Sequence, residues 1–302
     1  MGRTVLAVDV GGTKIAAAIV DDTGQIRQAT SRPTPTLDTF GAVQDAVEEL
    51  LTAGAIPVEA VGIASAGPVD LAAGRVSPIN IPSWRDFPLR DRMRTLLPEL
   101  PIALAGDALC MALGEHWAGA GQGSDSMLGV VVSTGVGGGL VLRGQPAAGR
   151  TGNAAHVGHV VVEPDGGRPC TCGGRGCVET VASGPNLVRW ARQQGWQAPE
   201  HADAAHLAAA ARAGDEIPMA AFARGGHAVG LAIVAAAMVC DLDLVVIGGG
   251  VAQVGELLFE PVRETLAEHA RLSFLNSLRV LPATLGGKAG LIGAAGLALR
   301  AT

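Results

Sequence analysis

Tyrosine is absent from this chain, and aromatic residues make up only 3% of it; the 48% apolar fraction is carried mainly by alanine, valine and leucine. Charge is sparse too, at 17%, and this balance excludes an intrinsically disordered chain. Basic residues are the minority: 22 Lys and Arg against 28 Asp and Glu leave a net charge of −6. A polyanion-binding protein is ordinarily basic, so nucleic acid is disfavoured as the main partner. A small anion remains open, because backbone amides and helix N-termini bind one locally. Met1 to Val8 runs straight into a strand-like segment with no cleavable apolar region, so no secretory signal is read there. The longest apolar stretch, Ala228 to Ile247, is broken by Asp241 and Asp243 short of the ~20 residues a membrane span needs. It reads as a buried helix followed by a buried strand. The expected compartment is the cytoplasm, with no membrane partner.

Two familiar phosphate-binding signatures are also missing. No G-x-x-x-x-G-K-[ST] occurs. No Rossmann fingerprint occurs either, because the first glycine turn returns as a strand rather than a helix.

The 302 residues amount to roughly two domains. Thr4 to Val10 is strand-like, Gly11-Gly12-Thr13-Lys14 turns, Ile15 to Val20 returns, and Gln25 to Thr30 completes a β-meander. Ala42, Val43, Ala46, Val47, Leu50 and Leu51 recur at helical spacing, with Asp38 or Thr39 to cap the start and Gly54 just past the end. Val61 to Ala64 and Pro101 to Ala105 are strands, and Ala108 to Ala118 is a helix. The pattern then restarts: strand Leu128 to Val132, turn Ser133 to Gly139, strand Leu140 to Leu142. A strand–glycine turn–strand unit that occurs twice suggests two related halves clamping a polyphosphate. Helices His206 to Ala213 and Pro218 to Cys240, strand Leu244 to Ile247, the turn Gly248-Gly249-Gly250, and helices Glu256 to His269 and Ala289 to Leu299 follow. The last has the small-residue composition of a tightly packed helix.

In Asp9-Val10-Gly11-Gly12-Thr13-Lys14, glycines let amides face phosphate oxygens, Thr13 adds a hydroxyl, Lys14 adds positive charge, and Asp9 can hold Mg²⁺. Thr134, Gly135, Gly137 and Gly138, with Gly248 and Gly249, supply the other candidate nucleotide-binding positions. Asp107 follows a strand and precedes a helix; a strand-end carboxylate suits the proton-accepting role in phosphoryl transfer and can cap the helix as well. Cys170, Cys172 and Cys177 fall within eight residues, after His159. In a cytoplasmic chain that set favours a closed tetrahedral Zn²⁺ site over disulfides. Cys110 and Cys240 lie on apolar helical stretches and read as core.

The segments Asp9–Lys14, Ser133–Gly139 and His156–Glu179 together resemble the ROK family of bacterial sugar kinases and sugar-responsive repressors, over nearly the whole chain and in order. The resemblance implies an α/β, actin-like (ribonuclease H-like) two-lobed fold, with a duplicated β-meander/α core and a cleft between lobes. The lobes are expected at residues 1–119 plus 288–302, and at 120–287. No helix-turn-helix precedes the first strand, which aligns the chain with the kinases. By the same resemblance Asp107 is the catalytic base, and His159, Cys170, Cys172 and Cys177 are the ligands of a structural zinc. Gly67, Asn80, Asp107, His156, His159 and Glu179 border the sugar, ATP with Mg²⁺ is the donor, and a homodimer or higher homo-oligomer is expected.

Two positions depart from the family. Gly106 stands where Asn usually precedes the catalytic Asp, and His156 where Glu usually lies three residues before the zinc His. In glucose-specific members that Glu contacts the sugar near C1 and C2; a His resembles the bacterial N-acetylmannosamine kinases, and an imidazole can donate to an acetamido carbonyl. Three readings stand at this point: an ATP-dependent kinase acting on the C6 hydroxyl of glucose or a close relative, an N-acetylmannosamine kinase, and a non-catalytic sugar sensor. The intact Asp107 argues against the third.

Overall fold

The computed structural model describes residues 2–53 and 56–301; Gly54, expected just past the first helix, lies outside them. In chain order the strands are β1 (Thr4–Val10), β2 (Lys14–Asp21), β3 (Ile26–Pro33), β4 (Val61–Ser65), β5 (Val69–Asp70), β6 (Arg75–Val76), β7 (Ile102–Gly106), β8 (Ser126–Val132), β9 (Val136–Leu142), β10 (Gln145–Pro146), β11 (Leu244–Gly248) and β12 (Arg279–Pro282). The α-helices are α1 (Thr39–Ala53), α2 (Leu89–Leu96), α3 (Asp107–Ala118), α4 (Val178–Ala182), α5 (Gly184–Gln193), α6 (Ala204–Arg212), α7 (Glu216–Cys240), α8 (Glu256–His269) and α9 (Ala289–Ala301).

Two five-stranded sheets follow one plan. The first has the order β3-β2-β1-β4-β7, an antiparallel meander extended by parallel strands. The second has the order β10-β9-β8-β11-β12, with β11 parallel to both β8 and β12. The duplication expected from two short glycine-turn units therefore extends to whole sheets. The chain divides into two compact units, Met1–Ser124 with Gly139–Ala154 and Thr284–Thr302, and Asp125–Gly138 with Ala155–Ala283. Residues Gly139–Ala154, expected with the second half, cluster with the first, and the chain rejoins the first unit at Thr284 rather than at 288.

The run from Val5 to Val8 is apolar without alternation because both faces of the first sheet are covered. Leu6, Val8, Val10, Ile15, Ala17 and Ile19 pack with Val43, Val47 and Leu50 of α1. Val5, Ala7, Ala16, Ala18 and Val20 pack with Leu109 and Cys110 of α3 and with Leu291, Ala294 and Ala298 of α9. Asp38 caps α1, its Oδ1 accepting from Gly41 N at 3.0 Å. The small residues of α9 have a steric cause: a Cβ added at Gly293 would lie 1.7 Å from Cys110 O, and one at Gly62 would lie 1.8 Å from Ala294 O.

In the second unit α7 begins at Asp215, whose Oδ1 accepts from Ile217 N at 3.2 Å, and ends at Asp241 in a left-handed conformation. Helix α7 is long and apolar enough to cross a membrane, but half of its most apolar window is buried inside the fold. Cys110 is buried, as expected, whereas Cys240 at the end of α7 is only half-buried.

The second glycine turn also departs from the expectation. The turn read as Ser133 to Gly139 is shorter: Ser133 N donates to Gly135 O at 2.8 Å, and β9 starts at Val136. The remaining glycines are strand residues under close neighbours. A Cβ at Gly138 would lie 2.7 Å from Ala155 O, and one at Gly139 would lie 2.4 Å from Leu109 Cα.

Candidate active site

In the first unit the β1–β2 turn closes with Gly11 N donating to Lys14 O at 3.0 Å, which leaves Thr13 and Lys14 exposed. Asn80 rests on this turn: a Cβ at Gly12 would lie 2.4 Å from its Cγ and Nδ2. Ala66 N donates to Val10 O at 3.0 Å, so Gly67, preceding a cis Pro68, stands at the end of β1. The Asp9 carboxylate lies against the first turn of α9, since a Cβ at Gly290 would lie 2.4 Å from its Oδ2. Burial and then the charge of Asp107 raise Asp9 to about 7, while Lys14 pulls the other way.

Asp107 is the first residue of α3; the capping position belongs to Gly106, not to Asp107 as the sequence suggested, because the helical backbone begins one residue earlier. Its Oδ1 accepts from Ala108 N at 2.7 Å. The side chain remains open to solvent from one side yet is otherwise closely surrounded by protein. That desolvation raises its carboxyl above the ordinary range, and the Ala108 N–H opposes the rise.

Two features of this unit escaped the sequence reading. Glu115 on α3 is fully buried, and its carboxylate accepts from Leu285 N at 2.8 Å, Ala120 N at 2.9 Å and Thr284 N at 3.0 Å. It ties the segment leading into α9 to the helix that starts at Asp107. Gly286-Gly287-Lys288 forms a turn beside Lys14, whose Nζ lies 3.9 Å from a Cβ added at Gly287. The signal was available, because Gly–Gly followed by Lys before a helix resembles the composition of Gly11–Lys14.

In the second unit the candidate nucleotide turns converge. Gly249, at φ +94°, approaches the end of β8 so closely that a Cβ would lie 2.4 Å from Val132 O, and a Cβ at Gly250 would lie 3.6 Å from Ser133 Oγ. Thr134 is exposed at the tip of the β8–β9 turn, Gly135 closes it, and Gly137 and Gly138 lie within β9. Glu179, in the first turn of α4, accepts from Val136 N through Oε2 at 2.9 Å. The His156–His159 segment is set on the same strand, since a Cβ at Gly158 would lie 1.9 Å from Val136 O. The His156 and His159 rings stack at 6.0 Å. Burial, then His159, hold the His156 imidazole below its ordinary pKa, against an opposing pull from Glu179.

His159, Cys170, Cys172 and Cys177 come together with one ligand atom each, all within 4.8 Å of one another. Cys170 Sγ lies 3.6 Å from His159 Nδ1, and Cys172 Sγ lies 3.7 Å from Cys177 Sγ. A tetrahedron built on Zn–S bonds of ~2.3 Å has edges of about 3.7 Å, so the donor set fits a four-coordinate divalent metal. Burial and the neighbouring Cys170 and Cys172 thiols push the Cys177 thiol up, a tension that a bound cation would relieve. Gly173 and Gly176, at φ +91° and +70°, supply the tight wrapping.

The signature of the ROK family matches residues 5–301. The chain is 35% identical over 311 residues to a glucokinase of Thermotoga maritima, covering 97% of this chain and 96% of that protein. It is 36% identical over 249 residues to an N-acetylmannosamine kinase of Yersinia pseudotuberculosis, covering 82% of each. Among solved structures it is similar to a ROK family glucokinase from Streptomyces griseus in complex with glucose and AMPPNP, with 37% identity, a TM-score of 0.84, and coverage of 98% of this chain and 99% of that one. By sequence along nearly its whole length, and by a shared fold, the chain belongs to the ROK family.

Proposed function

We propose that this protein is an ATP-dependent hexose kinase, transferring the γ-phosphate to the C6 hydroxyl of a hexose, with Asp107 as general base. The observation that carries the reading is the placement of Asp107 at the start of α3, with its charge acting on Asp9 of β1, whose strand leads into the glycine turn that ends in Lys14. Phosphoryl transfer needs alignment, charge neutralisation and a proton acceptor rather than covalent help. The Gly11–Lys14 amides, the Thr13 hydroxyl and the Lys14 ammonium suit the phosphates, as do Thr134, Gly135, Gly137, Gly138, Gly248 and Gly249 in the second unit. Asp107, with its raised pKa and open side, suits the hydroxyl proton. Asn80, Gly67, His156, His159 and Glu179 are the candidate sugar contacts.

A carboxylate raised to about 7 by burial and a second carboxylate fits a divalent cation, and Asp9 would hold Mg²⁺. Bound there, Mg²⁺ supplies neutralisation of phosphate charge. His159, Cys170, Cys172 and Cys177 would hold a structural Zn²⁺ that fixes the segment between His156 and Glu179. A reduced thiol cluster of this kind belongs in the cytoplasm, where we place the enzyme. The family resemblance alone supports a homodimer or higher homo-oligomer.

One observation favours a second acceptor. Burial, then His159, hold the His156 imidazole below its ordinary pKa, and its ring N–H can donate to an acetamido carbonyl, which supports N-acetylmannosamine. The identities to a glucokinase and to an N-acetylmannosamine kinase, 35% and 36%, do not separate the two. ADP release with Mg-ATP across glucose, mannose, N-acetylglucosamine and N-acetylmannosamine decides: dominance of the last makes His156 the specificity residue. Asp107→Asn is expected to abolish transfer on every acceptor while nucleotide still binds. Unchanged turnover in that variant removes Asp107 from the mechanism.

A further inference from the structure

Gly106 stands where the ordinary reasons for a glycine fail. Its backbone, φ −65° and ψ 146°, lies in the extended region that any L-residue adopts. Among the described residues an added Cβ would meet nothing within 4 Å, whereas one at Gly62, Gly114 or Gly293 would strike backbone at 1.8, 2.2 and 1.7 Å. Gly106 is also the capping residue of α3, where Asn, Asp, Ser or Thr would accept from free helix amides and glycine makes no side-chain bond. Backbone and packing both admit a side chain, and capping favours one. What a side chain would fill is the open space immediately before Asp107.

We propose that Gly106 is a specificity-determining residue, whose open space receives a substituent of the acceptor next to the reacting hydroxyl. The inference rests on the hexose kinase reading, with Asp107 taking the proton of the C6 hydroxyl. In a pyranose the ring substituent nearest to C6 on the hydroxyl-bearing side is the one on C4, and C2 lies across the ring. The space therefore serves bulk or inverted configuration at C4, and the acceptor class is a 4-substituted or 4-epimeric hexose. A group on C2 does not reach it.

The test is kcat/KM for glucose, 4-O-methylglucose, galactose and mannose in the wild type, Gly106→Ala and Gly106→Asn. The wild type is expected to use 4-O-methylglucose or galactose within about 10-fold of glucose, and Gly106→Asn to lower that ratio by a further ~10-fold or more, with Gly106→Ala between. The ratio of mannose, the C2 epimer, to glucose should move by less than about 3-fold. Because capping favours Asn, Gly106→Asn should melt no lower than the wild type; if it does, Gly106→Ala carries the comparison. An unchanged C4 ratio in both variants, wild-type rejection of both C4 probes, or an equal loss for mannose overturns the proposal. Absence of turnover on every hexose by the wild type defeats the kinase reading itself, which is a different result.

Discussion

Glu179 Oε2 accepts a hydrogen bond from Val136 N at 2.9 Å, so a residue singled out for the sugar is bonded to the turn singled out for phosphate. In the first unit Asn80 lies against Gly12 by close packing rather than by a hydrogen bond. In each unit one candidate sugar contact sits on a glycine turn, which gives a direct physical route by which binding one substrate can order the groups that bind the other.

Removal of the Glu179 carboxylate should therefore be felt by both substrates. Glu179→Ala leaves the N–H of buried Val136 without its acceptor, a loss of ~1–3 kcal/mol at the turn. Glu179→Gln keeps an acceptor and loses only the charge. Steady-state kinetics should give a higher sugar KM in both variants, and an ATP KM raised about 10-fold only in Glu179→Ala. An ATP KM unmoved in both variants would separate Glu179 from the turn.

Gly12→Ala tests the counterpart. Its Cβ cannot coexist with the present position of the Asn80 side chain, which is exposed and free to move aside. The fold should survive with an almost unchanged Tm, while the sugar KM rises by roughly 10-fold, ~1.4 kcal/mol. A variant with wild-type sugar KM shows that Asn80 does not touch the acceptor.

Asp9 links pH to stability. Its carboxyl is raised from 3.8 to about 7 in the folded chain, so between those values the folded state keeps a proton that the unfolded chain releases. Stability then falls as pH rises through that window, and above it the ionised Asp9 costs on the order of 2–4 kcal/mol. Asp9→Asn removes this cost. Thermal melts of metal- and nucleotide-free protein should show a higher Tm than the wild type at pH 8, a gain that shrinks toward pH 4, and turnover should drop sharply. Equal gains at both pH values would mean that the effect does not come from this carboxylate.

The four-ligand cluster predicts that Cys172→Ser lowers bound zinc, read by metal analysis, together with stability. A loss of ~3 kcal/mol corresponds to a Tm lower by roughly 6–12 °C for a domain of 150–250 residues. Because the cluster sits between His156 and Glu179, the sugar KM should rise as well. Full activity and an unchanged melt in metal-free protein would defeat the structural role.

Short-range physics made much of this legible from the amino-acid order. The Gly11–Lys14 turn, the helical spacing from Ala42 to Leu51, the Glu256–His269 helix and the Cys170-x-Cys172-x4-Cys177 spacing are set by neighbours a few residues apart. Resemblance to a family supplied roles for Asn80 and Glu179, which no local rule assigns, whereas the strand-end position of Asp107 already suited it to accept a proton. Local rules also misjudged Gly137 to Gly139 as turn: glycine composition signals a turn, but there it serves the close approach of Ala155 and Leu109.

The sequence by itself determined the Gly11–Lys14 hairpin, the helices α1, α3, α6, α7, α8 and α9 and the candidate metal-ligand set, but not α2, α4 or α5, because turn chemistry, periodicity and ligand spacing act over a few bonds. Only the tertiary structure decided that Glu115 holds Leu285 at a distance of 170 residues along the chain, that Asp9 rests on the first turn of α9, and that no described residue lies within 4 Å of a Cβ added at Gly106. Those contacts exist only once the strands and helices have packed, since the energy of a buried hydrogen bond or of a close backbone approach depends on partners that the chain brings together from far away.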